Sequence, residues 1–158
     1  MSSPILRVGV ISDTHDYLDP KVPGLFAGVN HILHAGDIGM PVLILQLEQI
    51  APVTAVLGNT DTYGPFKETE VLTLADRKFL LHHILDVRAP AEAVKGWIIR
   101  EAPDVVVFGH THRPFSEYIG KTLYLNPGYA GPKRFNLPRS VALLQCGSEG
   151  IRVEFKEL

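Results

Sequence analysis

Short apolar segments that each run directly into polar residues are the feature that most constrains the fold of this chain. Residues 105–108 form a β-branched and aromatic run without polar alternation, which is typical of a strand covered on both faces. Gly109 follows this run and lets the backbone turn sharply, so that His110 and His112 emerge together at the carboxyl end of the strand. The same order recurs along the chain and predicts an α/β fold with polar side chains gathered at one sheet edge.

The first part of the chain predicts alternating strands and helices. We expect strands at residues 5–11, 31–35 and 53–57, and helices at residues 19–29 and 41–50. A polar cluster follows each strand, as in a layered domain with parallel strands.

The second part of the chain predicts mainly antiparallel β-structure. Residues 70–74 and 78–81 indicate a hairpin, and residues 89–101 indicate an amphipathic helix with Ala93, Trp97 and Ile98 on its apolar face. Short strands are then expected at residues 115–119, 122–125, 139–145 and 151–155.

Composition narrows the class of protein. With 158 residues, 46% of them hydrophobic, the chain can bury a substantial core, and we predict one domain over residues 1–158. The net charge of −2 indicates neither a nucleic-acid surface nor affinity for anionic membranes. A single cysteine, Cys146, excludes an intrachain disulfide and is consistent with a reducing cytoplasm. No signal peptide or transmembrane run is recognisable, so we expect a cytoplasmic protein.

The polar residues that follow the predicted strands form a candidate metal site. They are Asp13, His15, Asp37, Asn59, His82, His110 and His112. Two carboxylates, four imidazoles and an amide exceed what one ion takes from a protein, but they suit two ions that share a carboxylate, for which Asp37 is the natural candidate.

Five blocks of residues, in chain order, resemble the motifs of the calcineurin-like metallophosphoesterases, and the small prokaryotic phosphodiesterases look most similar. The blocks are Asp13-x-His15, Gly36-Asp37, Gly58-Asn59-x-Asp61, His82 and Gly109-His110-x-His112. The resemblance covers most of the chain, up to a turn at residues 126–128. It implies a two-sheet β-sandwich flanked by helices, with four layers in the order α-β-β-α.

The resemblance also implies how the ligands divide between two divalent ions. One ion would be held by Asp13, His15, Asp37 and His112, and the other by Asp37, Asn59, His82 and His110. Mixed imidazole and carboxylate ligands favour Mn, Fe, Zn, Co or Ni over Ca or Mg, and we expect Mn first.

The charge and chemistry of this ligand set predict a function independently of the resemblance. Two divalent cations with two carboxylates retain a charge of about +2, enough to bind a phosphate. A water that bridges the ions is acidified, so hydroxide is available near neutral pH and can attack phosphorus in line. We therefore predict a dinuclear phosphodiesterase with Asp37, Asn59 and His110 as catalytic residues.

Thr60 departs from the resembled pattern, because many relatives carry histidine or cysteine there, and the histidine can protonate the leaving group. A threonine hydroxyl is too weak an acid for this step near neutral pH. We therefore expect substrates with good leaving groups, such as aryl diesters, to react best.

Further polar residues have supporting or structural alternatives. We expect His34 and Asp61 to support the ligands by hydrogen bonding, and His83, next to the expected ligand, to point elsewhere or to contact substrate. Tyr129 lies in a turn and is expected either to pack or to line a substrate pocket together with Tyr17, Tyr63 and Phe115. The basic residues Lys133, Arg134 and Arg139 are expected in a solvated loop, with phosphate contact as the alternative.

Three functions follow from these observations. The leading one is a soluble, cytoplasmic phosphodiesterase that acts on a small phosphodiester, and phosphomonoester hydrolysis is the enzymatic alternative. A protein-interaction scaffold on the same fold, with metal but little activity, is the alternative from another class. A homo-oligomer is left open.

Overall fold

A computed structural model describes residues 5–62 and 64–158. Tyr63, one of the aromatic residues expected near the site, lies outside the described residues, as do residues 1–4. The described chain forms two five-stranded sheets and three helices.

The first sheet is built from both ends of the chain. It contains β1 (Leu6–Ile11), β2 (His31–His34), β3 (Val53–Ala55), β9 (Ser140–Gly147) and β10 (Gly150–Glu157) in the order β10-β9-β1-β2-β3. The strands β1, β2 and β3 are parallel, whereas β9 pairs antiparallel with β1 and with β10. The helices α1 (Val22–Leu25) and α2 (Val42–Glu48) connect the parallel strands.

The second sheet comes from the middle of the chain. It contains β4 (Thr69–Leu74), β5 (Arg77–His82), β6 (Val105–Val107), β7 (Phe115–Ile119) and β8 (Thr122–Asn126) in the order β4-β5-β6-β8-β7. Here β5, β6 and β8 are parallel, and β4 and β7 are antiparallel edge strands. The helix α3 (Glu92–Glu101) connects β5 to β6.

The main core lies between the two sheets, where alternate residues of each parallel strand meet. Val8 and Val10 of β1 pack in the same cluster as Phe79 and Leu81 of β5. Residues of opposite parity, such as Leu80 of β5, face outward and form separate clusters beneath the helices. The predicted two-sheet α/β sandwich flanked by helices is confirmed, and burial on both faces explains why the parallel strands lack polar alternation.

The helices differ from the sequence predictions in length and in the face that they bury. Only one turn, Val22–Leu25, is helical within the predicted 19–29 segment, because prolines and glycines interrupt it. The helix expected over residues 89–101 begins at Glu92, and its fully buried residue is Val94 while Ala93 is exposed. Trp97 is half-buried, and the Arg100 guanidinium carbon lies 4.5 Å from the centre of its ring.

The parallel strands of both sheets deliver their following loops to one edge of the sandwich. Backbone hydrogen bonds join these loops directly, from Asp13 N to Gly36 O (3.0 Å) and from Gly109 N to His83 O (2.9 Å). Among the described residues, no helix is long and apolar enough to cross a membrane.

Candidate metal centre

Two groups of potential ligands lie at this edge, in the loops that follow β1, β2, β5 and β6. Within each group, the ligand atoms lie within 4.8 Å of one another. The first group is Asp13, His15 and His112, and the second is Asp37, His83 and His110. Residues from across a hundred positions of sequence therefore converge, as the polar clusters after the strands predict.

Asp37 joins the two groups. Its Oδ2 atom lies 3.3 Å from Nε2 of His83, in the second group, and 3.8 Å from Nε2 of His15, in the first. Asp13 also faces both groups, because its Oδ1 lies 3.4 Å from Nε2 of His112 and 3.7 Å from Nε2 of His83. The two groups thus form one continuous cluster.

Three atoms at the centre of this cluster are buried and have no hydrogen-bond partner among the described residues. They are Oδ1 of Asp13, Nε2 of His15 and Nε2 of His83. A buried polar atom without a partner costs about 1–3 kcal/mol, so their convergence requires compensation. Divalent cations would provide it, and the mixture of imidazole nitrogen and carboxylate oxygen suits ions such as Mn, Fe or Zn.

The orientation of His83 supports the same conclusion. Its Nδ1 lies 2.7 Å from the carbonyl oxygen of Ala35, so this nitrogen carries the hydrogen and donates it. In the neutral ring, Nε2 then presents a lone pair toward the carboxylates of Asp13 and Asp37. Lone pairs facing each other are repulsive unless a cation lies between them, so this ring is oriented as metal-binding histidines are.

The sequence predicted His82 as the ligand from β5, whereas the structure places His83, and not His82, in the cluster. His82 belongs to the outward face of β5, with Leu80, and its Nδ1 lies 2.8 Å from Oγ1 of Thr69 on the neighbouring strand. His83 lies on the same side of the sheet as Phe79 and Leu81 of β5, which face the core between the two sheets. Because side chains alternate along a strand, a shift of one residue moves a side chain to the opposite face of the sheet.

Asn59 lies beside the second group. Its Oδ1 is 3.1 Å from Nδ1 of His110, and both residues are exposed. The amide oxygen of Asn59 therefore lies next to the second group, in contact with His110. Of the seven ligands expected from the sequence, the structure brings together all but His82.

Left-handed backbone conformations aim the ligand side chains. Five of them have positive φ, namely Asp13 (57°), His15 (45°), Asp37 (55°), His110 (72°) and His112 (63°). Such conformations are uncommon for residues other than glycine and persist only where the surroundings enforce them. Their concentration in these loops is typical of a functional site.

Gly58 and Gly109 allow the loops to approach one another closely. A Cβ at Gly58 would overlap the carboxylate and the backbone nitrogen of Asp37, and one at Gly109 would overlap Oγ of Ser12 and lie 2.8 Å from Oδ2 of Asp13. The glycines of the Gly-Asn and Gly-His motifs are thus required because no side chain fits there.

Hydrogen bonds fix the orientation of both carboxylates. Oδ2 of Asp13 accepts bonds from Oγ of Ser12 (2.8 Å) and from the backbone nitrogen of His110 (3.1 Å). Burial alone would raise the pKa of Asp37, but its close contact with His83 and the hydrogen bonding of Thr60 outweigh burial and hold that pKa well below its usual range.

The imidazoles respond to burial and charge in different ways. Burial lowers the pKa of His83, but its contact with Asp37 and the charge of Asp13 outweigh burial and raise that pKa above its usual value. For His112, burial is the largest effect, and it lowers the pKa below its usual value.

Asp61 and His34 lie outside the two ligand groups and fix, by hydrogen bonds, the loops that follow β2 and β3. The carboxylate of Asp61 accepts hydrogen bonds from the backbone nitrogens of Ile38, Gly39 and Gly58, at 2.8–3.1 Å. His34 is fully buried, and its Nδ1 accepts a bond from the backbone nitrogen of Gly36 (3.1 Å), which leaves the hydrogen on Nε2. Burial lowers the pKa of His34 to about 3.

Tyr129 packs against two of the candidate ligands, His15 and His112. It is fully buried, its ring centre lies 4.7 Å from that of His112 and 6.2 Å from that of His15, and its hydroxyl donates to the carbonyl of Pro132. The substrate contact considered for Tyr129 is therefore excluded by its burial. Thr60 lies on the open side of the site, where its backbone nitrogen donates to Oδ1 of Asp37 (2.9 Å).

The basic residues expected in one solvated loop divide into two roles. Arg139 forms a nearly buried ion pair with Asp19 (3.0 Å) and lies over the ring of Tyr17, so it is structural. Arg134 is exposed, and its guanidinium carbon lies 5.4 Å from the ring centre of Tyr129. Arg134 is therefore the cation that stands beside the first ligand group.

Asn126 is a buried residue of the site whose role the sequence did not reveal beyond its turn. Its Nδ2 donates to Gly109 O (3.1 Å) and to Oγ1 of Thr111 (3.1 Å), which fixes the loop that carries His110 and His112. A buried amide at the end of a strand, just before Pro-Gly, is the signal that could have indicated it.

The fold and the site together define a class of proteins: two-sheet α/β sandwiches that present paired histidine and aspartate ligands at the carboxyl ends of their strands. Residues 6–149 match the model of the calcineurin-like phosphoesterase superfamily domain, and the chain belongs to this superfamily. The resemblance described from the sequence motifs is confirmed.

Individual proteins are similar to this chain in sequence or in fold. A protein from Methanothermobacter thermautotrophicus named "Probable metallophosphoesterase" is 32% identical over 157 residues, covering 94% of this chain and 91% of its own. "Phosphodiesterase MJ0936" from Methanocaldococcus jannaschii is 28% identical over 142 residues, which cover 78% of this chain and 83% of its own. The structure of wild-type Vps29 complexed with zinc, from Entamoeba histolytica, superposes with a TM-score of 0.72 at 24% identity, covering 96% of this chain and 99% of its own.

Proposed function

We propose that this protein is a dinuclear metal-dependent phosphodiesterase. Two ions held by the two ligand groups would supply an acidified water as the nucleophile for in-line attack on phosphorus. The observation that carries the proposal is the position of Asp37. One carboxylate oxygen faces His15 on one side and His83 on the other, at 3.8 and 3.3 Å. A shared carboxylate is the arrangement that two neighbouring ions require.

In our proposal each of the two groups of ligand atoms holds one ion, with Asp37 shared between them and Asn59 added to the second. Asp13, His15, Asp37 and His112 hold one ion, and Asp37, Asn59, His83 and His110 hold the other. Manganese is our first choice because the ligands combine imidazoles with carboxylates.

When bound, the ions supply positive charge and an acidified water. The side chains of the protein set the net charge of the site and attract the phosphate. Asp13 and Asp37 together contribute a charge of about −2, so the loaded site retains about +2 and attracts a phosphate. Arg134 adds a further positive charge beside His112, where it can attract a non-bridging phosphate oxygen.

A diester with a good leaving group fits this site best. Thr60 occupies the open side next to Asp37 and cannot act as a general acid near neutral pH. The relative named as a phosphodiesterase also supports diesters. Phosphomonoesters are the alternative substrates of the same site.

Metal analysis combined with a matched pair of substrates tests the proposal. The protein is stripped with a chelator, reloaded with Mn, and assayed on bis(p-nitrophenyl) phosphate and on p-nitrophenyl phosphate. We expect two ions per chain, loss of activity on stripping, recovery on reloading, and a higher kcat/KM for the diester. Activity that survives complete removal of metal would contradict the proposal, and preference for the monoester would reassign the substrate class.

A protein-interaction scaffold is the second candidate function. It is favoured by Thr60, which leaves the site without a proton donor, and by the likeness of the fold to Vps29. Two bound ions without turnover of either substrate would support the scaffold.

We further propose a cytoplasmic protein that acts on small phosphoesters and binds neither nucleic acid nor membrane. The single cysteine and the net charge of −2 support this assignment.

A further inference from the structure

A cleft of about 700 Å³ opens beside the second ligand group. Its apolar wall includes Leu85, Val87, Phe108 and Phe115, and the rings of the two phenylalanines meet edge to face, with 5.9 Å between their centres. Phe115 and Val87 are only partly buried, so the wall presents apolar surface to the cleft. A cleft of this size accommodates a ligand larger than a phosphate.

The cleft is continuous with the candidate metal centre. His110 lines it and is also a member of the group formed with Asp37 and His83. A phosphorus atom held at the ions therefore has one neighbouring region that is apolar and large. Of its two ester arms, one can lie against the phenylalanines.

The rim of the cleft carries positive charge. Arg88 and Arg113 both line it, both are exposed, and neither forms an ion pair within the described part of the chain. The acidic residue at the rim is Asp86, whose Oδ1 accepts hydrogen bonds from the backbone nitrogens of Arg88 (3.0 Å) and Ala89 (3.2 Å). The two guanidinium groups are thus available to an anionic or planar ligand.

We propose that this cleft binds one ester arm of the substrate, and that the arm is a planar aromatic group bearing a negative charge, such as a carboxyaryl group. The inference rests on the proposed phosphoesterase function. The ring packs against Phe108 and Phe115, and the negative charge meets Arg88 and Arg113. The metal centre then recognises the phosphate, and the cleft selects the arm.

Phosphonates that cannot be hydrolysed test the cleft separately from catalysis. Calorimetry on the Mn-loaded protein compares methylphosphonate, phenylphosphonate and 4-carboxyphenylphosphonate. We expect phenylphosphonate to bind roughly tenfold more tightly than methylphosphonate, because its ring is removed from water, and the carboxylate to improve affinity several-fold further. Turnover of bis(p-nitrophenyl) phosphate is measured in parallel and tests the proposed function independently.

Two variants and one control locate the effect. Phe115→Ala should reduce the preference for phenylphosphonate over methylphosphonate to about twofold or less, whereas Tyr118→Ala, on the same strand but exposed, should keep it. Arg88→Gln changes an exposed residue and should remove most of the gain from the carboxylate, which provides a test if Phe115→Ala does not fold.

Equal affinity of the wild-type protein for the methyl and phenyl compounds would overturn the inference. So would a preference that persists in folded Phe115→Ala, or a carboxylate gain that persists in Arg88→Gln. If diesters are not hydrolysed but the affinities follow the expected order, the cleft assignment stands and the proposed catalytic function fails.

Discussion

Oδ2 of Asp37 lies 3.3 Å from Nε2 of His83, whereas His82, one position earlier, turns its ring toward Thr69 on the opposite face of the sheet. The two adjacent histidines therefore form a matched pair for testing which one serves the metal centre.

We predict that His83→Asn removes one of two bound ions and lowers kcat/KM for bis(p-nitrophenyl) phosphate by roughly 100-fold or more, because the second ion loses a ligand. His82→Asn should retain both ions and near wild-type activity, since His82 lies outside the cluster. Metal content by mass spectrometry and steady-state kinetics check both variants. The reverse pattern would return His82 to the ligand set.

Replacing Arg134 should weaken substrate binding. Its guanidinium group stands over Tyr129, which packs against His112, so it lies close enough to attract a phosphate oxygen. We expect Arg134→Gln to lower kcat/KM about tenfold, chiefly through KM. The neighbouring exposed Lys133→Gln is the control and should change kcat/KM less than twofold. Equal effects of the two variants would mean that only general charge matters.

A proton donor introduced at position 60 should raise the rate of hydrolysis of diesters with poor leaving groups. The backbone nitrogen of Thr60 bonds to Asp37 and survives substitution, so a new side chain there faces the open site. We predict that Thr60→His raises the rate on diesters with poor leaving groups by roughly 10–100-fold, with little change for p-nitrophenyl esters. Thr60→Ser is the control. Rates plotted against leaving-group pKa give the result, and an unchanged slope for Thr60→His would mean that the missing donor is not limiting.

His34 should make the stability of the metal-free protein depend on pH. Burial lowers its pKa to about 3 in the folded state, whereas the ordinary pKa of histidine is 6.5, so the unfolded chain binds a proton first as the pH falls. The contribution of neutral His34 is fully present above pH 6.5, and the free energy of unfolding falls by up to about 1.4 kcal/mol per pH unit below it.

Urea unfolding at pH 7, 6 and 5 measures this dependence. We expect a shallower fall of the unfolding free energy in His34→Gln than in the wild-type protein, after subtraction of the loss that the variant shows at pH 7. Identical slopes would show that His34 is not held neutral by its bonds to Gly36 and Thr14.

The sequence predicted the sheets and most of the site from one repeated pattern. Each apolar run predicts a strand, and the polar residues that follow it predict part of the site. The motif residues after β1, β2, β3 and β6 meet as expected, since parallel strands bring their carboxyl ends to one edge. The edge strand β7 also begins and ends where predicted.

The sequence could not predict which face of a strand or helix carries a given side chain. Phe79, Leu80 and Leu81 are all apolar, so the sequence does not reveal that β5 directs His83 inward and His82 outward. For the same reason the sequence predicted Ala93 on the buried face of α3, where the structure buries Val94 instead. The cleft beside His110 combines residues from several separate loops and strands, and no local pattern marks it.

Anomalous scattering at the manganese edge, from crystals of the Mn-loaded protein, tests the central claim most directly. The account predicts two peaks, both within ligand distance of the Asp37 carboxylate, with His83 bound to the ion that also contacts His110. A single ion, or two ions that do not share Asp37, would contradict it.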